Sequence, residues 1–136
     1  METSKRLFGS AGLTLALLGM LHLATDISAR SQGDMPAIFQ DMAATKIRML
    51  GTYSLLQFYT GFSVIMGVML VLYGLNVWLT ARGSFSAIPK NMFAFNVIAS
   101  LILFVLTVIY FHPLAYGFCL AAFLLFALSS LKRFQV

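Results

Sequence analysis

The side chains able to do chemistry in this sequence are few. His22 and Asp26 stand four residues apart, so a helix places them on one face. A carboxylate beside an imidazole orients the ring and fixes its tautomer. Gln57 and Tyr59 open a second apolar run, Tyr110 and His112 close a third, and Tyr116 begins a fourth. If successive runs cross a membrane in alternating directions, all of these groups lie at one depth. Such a cluster can bind a small polar head group, a quinone or a metal. Two histidines at one depth are also what a haem with two axial imidazoles requires. A zinc site drawn from His22, His112 and Asp26 is no better supported, because its third ligand is marginally placed; no metal site is expected. Against all of these stands interfacial anchoring, since His, Tyr and Gln suit a boundary that is apolar on one side and wet on the other.

Several chemistries are disfavoured outright. The one cysteine, Cys119, lies within an apolar run and reads as a packing residue; it cannot form an internal disulfide or a Cys-x-x-Cys centre. The sequence has no phosphate-binding loop, no Ser-His-Asp arrangement with a plausible oxyanion hole and no carboxylate pair, so no catalytic residue is assigned. Strongly ionisable groups are missing from the middle of every apolar run. Proton-coupled exporters and pumps depend on such groups, which leaves an oligomeric transporter as the weakest of the functional alternatives.

The elements that position these residues follow from composition. Of 136 residues, 60% are hydrophobic and 10% charged, against about a quarter charged in soluble domains. Mean hydropathy is +0.92. Lipid tolerates this much apolar surface and water does not. Four apolar segments stand out, at about 7–25, 53–80, 92–111 and 113–131, each near the roughly 20 residues a helix needs to cross about 30 Å of hydrocarbon. Backbone groups in lipid must be satisfied within the segment, so each should be helical. The fold predicted is a single all-α membrane domain, an up-down four-helix bundle. His112-Pro113 is the only break in the last apolar stretch and predicts a tight hairpin there. Lys5 and Arg6 before the first run resemble a signal peptide, but that run exceeds the usual apolar core of about 7–15 residues and is read as a retained span.

Lys5, Arg6, Arg82, Lys90, Lys132 and Arg133 fall on one side of this arrangement, and Arg30, Lys46 and Arg48 on the other. The positive-inside rule then places both termini in the cytoplasm. The net charge of +5 is accounted for by these segment ends, so nucleic acid is not an expected partner. Trp78 fits an anchor at the cytoplasmic boundary. The first outer loop carries Asp34 and Pro36 as a helix start, after a turn at Ser31, Gln32 and Gly33. Met35, Ile38, Phe39, Met42, Met49 and Leu50 follow at helical spacing, predicting a short amphipathic helix over about 35–50.

Small residues recur where helices should approach: Gly12, Ala16 and Gly19 in the first run, Gly61, Ser63, Gly67 and Gly74 in the second, Gly117 and Ala121 in the fourth. Asn76 and Asn96 are placed to hydrogen-bond to each other across an interface.

His22, then Met49-Leu50-Gly51-Thr52-Tyr53, then Phe58-Tyr59-Thr60-Gly61-Phe62-Ser63 entering a Gly-rich span, resemble a family of small bacterial four-helix membrane proteins with the layout of DoxX-like proteins. The resemblance implies a four-helix fold in a bacterial inner membrane. It implies no activity and no catalytic residue, although DoxX-like proteins are linked to redox and oxidative-stress systems. The expected function is an accessory or ligand-binding component of an inner-membrane assembly, partnered by lipid and by another membrane protein or a second copy. The alternative is a redox protein using haem or quinone at the His/Tyr/Asp cluster; no cofactor is required by the sequence.

Overall fold

The computed structural model describes residues 2–31, 36–48, 52–83 and 88–134. Its elements in chain order are helices α1 (Glu2–Ser31) and α2 (Ala37–Ala44), strands β1 (Lys46–Arg48) and β2 (Thr52–Ser54), and helices α3 (Leu55–Arg82), α4 (Lys90–Tyr110) and α5 (Pro113–Phe134). Four helices among the described residues are long and apolar enough to cross a membrane. The protein is thus a small multi-pass membrane protein, with the short helix α2 between its first two spans.

The helices begin and end where local chemistry dictates. Pro89 precedes α4 in an extended conformation, and its carbonyl accepts from the Met92 amide. The chain leaves α4 at Phe111, which is extended (φ −127°, ψ 172°) while its amide still reaches the Thr107 carbonyl. Pro113 then opens α5, a position where its missing N–H costs nothing. The expected corner at His112-Pro113 is where the chain turns. Helix α1 is longer than the run of apolar residues at 7–25 suggests. It extends over Glu2, whose carboxylate pairs with Arg6 one turn later at 2.6 Å, and continues past Asp26 to Ser31.

Backbone contacts divide the chain into two compact units, Met1–Leu18 with Leu70–Val136, and Gly19–Met69. Helices α1 and α3 each contribute a part to both.

The first unit has an apolar core fed by α1, α3, α4 and α5. Phe8 sits at its centre, with ring centroids 4.9 Å from Phe93 and 5.3 Å from Phe126, tilted and edge-on, the arrangements aromatic quadrupoles favour. Ala11, Leu15, Val77, Ile88 and Ala122 complete it. Gly12 and Gly74 let α1 and α3 touch backbone to backbone. A Cβ on Gly12 would stand 2.6 Å from the Gly74 carbonyl oxygen, and one on Gly74 would stand 2.5 Å from the Ala16 amide nitrogen. At Gly117 a Cβ would meet nothing within 4 Å, so inside the chain that glycine is not a point of close approach.

Polar residues in this unit turn inward. Of the buried residues on α4, Asn96, Ser100 and Thr107 are polar and only Phe93 is apolar. Their hydroxyls and amides are satisfied: Ser100 donates to the Asn96 carbonyl, Thr107 to that of Phe104, and the Asn96 amide to that of Met92. The Asn96 side-chain oxygen accepts from Tyr73 at 2.5 Å. The expected Asn76–Asn96 bond is therefore replaced by Tyr73–Asn96: Tyr73 lies almost one turn earlier on α3, and Asn76 points outward. Ser4 and Ser129 form a reciprocal clasp. Each hydroxyl donates to the other residue's carbonyl at 2.7 Å, and both side chains are fully buried. Meanwhile Ile98, Ile102, Val105 and Ile109 of α4 face outward. Polar groups within and large aliphatics without is the pattern of a bundle solvated by lipid, where helices associate through packing and hydrogen bonds.

The second unit holds the later part of α1, helix α2, the strands and the start of α3. Here the expected helix over 35–50 is corrected. Its helical part is Ala37–Ala44, and Lys46 and Arg48 lie in a strand. The helix stops at Thr45, which turns extended (φ −73°, ψ 121°) and directs both its amide and its hydroxyl to the Asp41 carbonyl. β1 and β2 then pair antiparallel, with Ile47 opposite Tyr53, two residue types that favour strands. Ser31, expected in a turn, is the last residue of α1; residues 32–35, with the Asp34 cap, and the Met49-Leu50-Gly51 segment lie outside the residues described.

α3 starts at Leu55 rather than 53 because β2 ends in a capping box. Ser54 Oγ accepts from the Gln57 amide at 3.1 Å, and Gln57 Oε1 accepts from the Ser54 amide at 2.9 Å. This reciprocal arrangement satisfies two amides that a helix start leaves open.

Candidate functional site

Within the second unit the residue of most chemical interest is His22. Helix α1 continues beyond it for about 13 Å at the usual 1.5 Å rise, passing Asp26 one turn on. Its Nε2 lies 3.1 Å from the Ser63 carbonyl oxygen and 3.0 Å from Ser63 Oγ. With its proton on Nε2 the ring donates to this carbonyl, and in the other tautomer Nε2 accepts from the Ser63 hydroxyl; Nδ1 takes no part in the contact. Ser63 is buried and His22 half-buried.

Gly67 brings the two helices together one turn farther along α3. A Cβ there would stand 2.7 Å from Leu23 Cδ2 and 3.1 Å from His22 Cδ2. Ser63 and Gly67 thus form a small-residue seat for the imidazole. Ser63 was expected as a packing residue; its pairing with His22 was not. The signal available was the single histidine of the first run opposite a small-xxx-small pair that includes a hydroxyl.

Other expected members of the cluster are placed differently. Gln57 is taken up by the capping box, so its amide oxygen serves the start of α3. Tyr59 is exposed and packs loosely on Phe39 of α2, with ring centroids 6.4 Å apart. Phe58 and Phe62, one turn apart, lie tilted against each other with ring centroids 4.8 Å apart and are also exposed. Asp26 lies one turn beyond His22 on α1 and is half-buried. At Gly61 a Cβ would meet nothing within 4 Å, whereas Gly19 is buried. Tyr110 and His112 belong to the first unit, both exposed at the α4–α5 corner. Among the described residues, no group of three or more His, Cys, Asp or Glu side chains is arranged to hold a metal ion.

No known protein family, curated protein or solved structure matches the chain.

Proposed function

We propose that the protein is a non-catalytic accessory component of a membrane assembly, which engages a partner or an amphiphilic ligand beside His22. The observation that carries this is the His22–Ser63 bond within a helix of membrane length. An ionisable side chain in a membrane-spanning helix, tied by a hydrogen bond to a neighbouring helix, is a functional-site hypothesis together with its partner. The exposed Phe58, Tyr59 and Phe62 offer an aromatic surface on the same stretch of α3. Asp26, one turn beyond His22 on α1, remains part of this proposal as a further polar contact. The likeness to DoxX-like proteins and the distribution of Lys and Arg support a bacterial inner membrane with both termini in the cytoplasm.

Affinity purification of the tagged full chain from native membranes tests this reading. A stoichiometric partner is expected, its recovery cut by His22→Ala and preserved by Tyr110→Phe. A single homogeneous species with no partner would overturn the accessory role.

A redox role is the second reading, favoured by Nδ1, the ring nitrogen that the Ser63 contact does not use. Purified protein would then show a Soret band on adding hemin, or a rise in melting temperature with a short-chain quinone. Either signal should vanish in His22→Ala. A spectrum and melting curve unchanged by both additions would remove this branch.

A further inference from the structure

A second site is formed at the opposite end of α1, within the first unit. A groove of about 420 Å³ lies between the start of α1 and the end of α3. That volume falls within the roughly 300–1,000 Å³ range of small-molecule sites. Lys5, Arg6 and Arg82 bring three cationic side chains to it, and Glu2 one carboxylate. The Arg82 guanidinium is held over the Trp78 ring, 4.4 Å from its centroid. A guanidinium stacked in this way keeps its in-plane N–H donors free of the ring. Deeper along α1, the lining changes to Ser10 and then to the exposed Leu13. Beside the groove the helices pack at Gly9, where a Cβ would stand 3.1 Å from Ala81 Cβ.

We propose that this groove binds an anionic phospholipid through its phosphate, with the acyl chain leaving past Leu13. The polarity gradient argues for a lipid over a free anion: cations, then a hydroxyl, then aliphatic surface, along a single helix that enters the membrane. Basic pockets between membrane helices bind such head groups on electrostatic grounds. Glu2 narrows the class. Its carboxylate already holds Arg6 and would repel a doubly charged phosphomonoester. It would accept a hydrogen bond from a hydroxyl on the head group. A phosphodiester carrying a hydroxylated head group, as in phosphatidylglycerol, satisfies both conditions. This site is independent of His22 and stands or falls without it.

Native mass spectrometry of the full chain in neutral detergent tests the proposal, with added phosphatidylglycerol, phosphatidylcholine or inorganic phosphate. Phosphatidylglycerol should be retained and should raise the melting temperature, and the other two should do neither. Arg82→Gln with Lys5→Gln should weaken retention about fivefold for each charge removed. Lys90→Gln with Lys132→Gln removes the same charge elsewhere and should leave retention unchanged. Ser10→Phe keeps every charge but blocks the track to Leu13 and should also abolish retention, which covers the case where the charge variants fold poorly. Equal retention of phosphatidylcholine would overturn the proposal, as would equal weakening by the Lys90/Lys132 control or wild-type retention in Ser10→Phe. Inorganic phosphate stabilising as well as the lipid would overturn the lipid as ligand.

Discussion

The two units of this protein each join α1 to another helix through a serine, and they do it differently. In the first, Ser4 and Ser129 satisfy one another: each hydroxyl donates to the other's carbonyl and both are fully buried. In the second, Ser63 meets His22, a ring with two nitrogens, and only Nε2 is used in the contact. The first junction is symmetrical and has nothing left to offer. The second is half-buried on the His22 side and leaves Nδ1 outside the contact. A closed polar contact is a structural fastening, whereas one that leaves a functional atom over is a candidate site. This contrast directs attention to His22 more firmly than the count of polar residues near one depth.

The glycines repeat the contrast and give the largest test of it. At Gly74 an added methyl meets backbone of α1, the Ala16 amide nitrogen at 2.5 Å, which cannot move aside. At Gly67 it meets the Leu23 side chain at 2.7 Å, which can turn. Gly74→Ala is expected to destabilise by about 3 kcal/mol, as overpacking of a rigid site does. Gly67→Ala should lie within about 1 kcal/mol of wild type, since gained helix propensity offsets the shift. Unfolding in mixed detergent–denaturant titrations measures both, and equal losses would break the distinction between the units.

Ser129→Ala removes the donor to the buried Ser4 carbonyl and should cost about 1 kcal/mol in the same titration, in line with hydrogen bonds between membrane helices. Ser63→Ala should cost less, about 0.5 kcal/mol, because the Ser63 carbonyl continues to accept from Nε2. A larger loss from Ser63→Ala would make His22–Ser63 the fastening and undercut its role as a site.

The spans were legible in the sequence because lipid imposes length and apolarity, and the α4–α5 corner because His112-Pro113 offers the only break. The end of α2 was not. Ile38, Phe39 and Met42 have helical spacing, and nothing in that spacing says that Thr45 will turn its hydroxyl and amide back to Asp41. The Ser54-x-x-Gln57 cap was readable as a pattern, yet Gln57 invited a ligand role by standing near the tyrosines. Tyr73–Asn96 and Ser4–Ser129 depend on the rotation of each helix about its axis. Nearly continuous apolar runs carry little information about rotation, so the inward-facing serines and threonines looked incidental. His22 was legible as a residue of interest, and its partner was hidden among small residues that usually serve packing.

The serine clasp also has a consequence in time. Its two halves are separated by 125 positions in the chain. At ordinary rates of synthesis, roughly 6 to 25 s pass between making one and making the other. Throughout that interval the Ser4 carbonyl has no Ser129 hydroxyl to accept from, and the Phe8 ring has no Phe126 to lie against. Helix α1 can meanwhile pack on α3 through Gly12 and Gly74, so the clasp and the Phe8–Phe126 contact are additions that wait for α5.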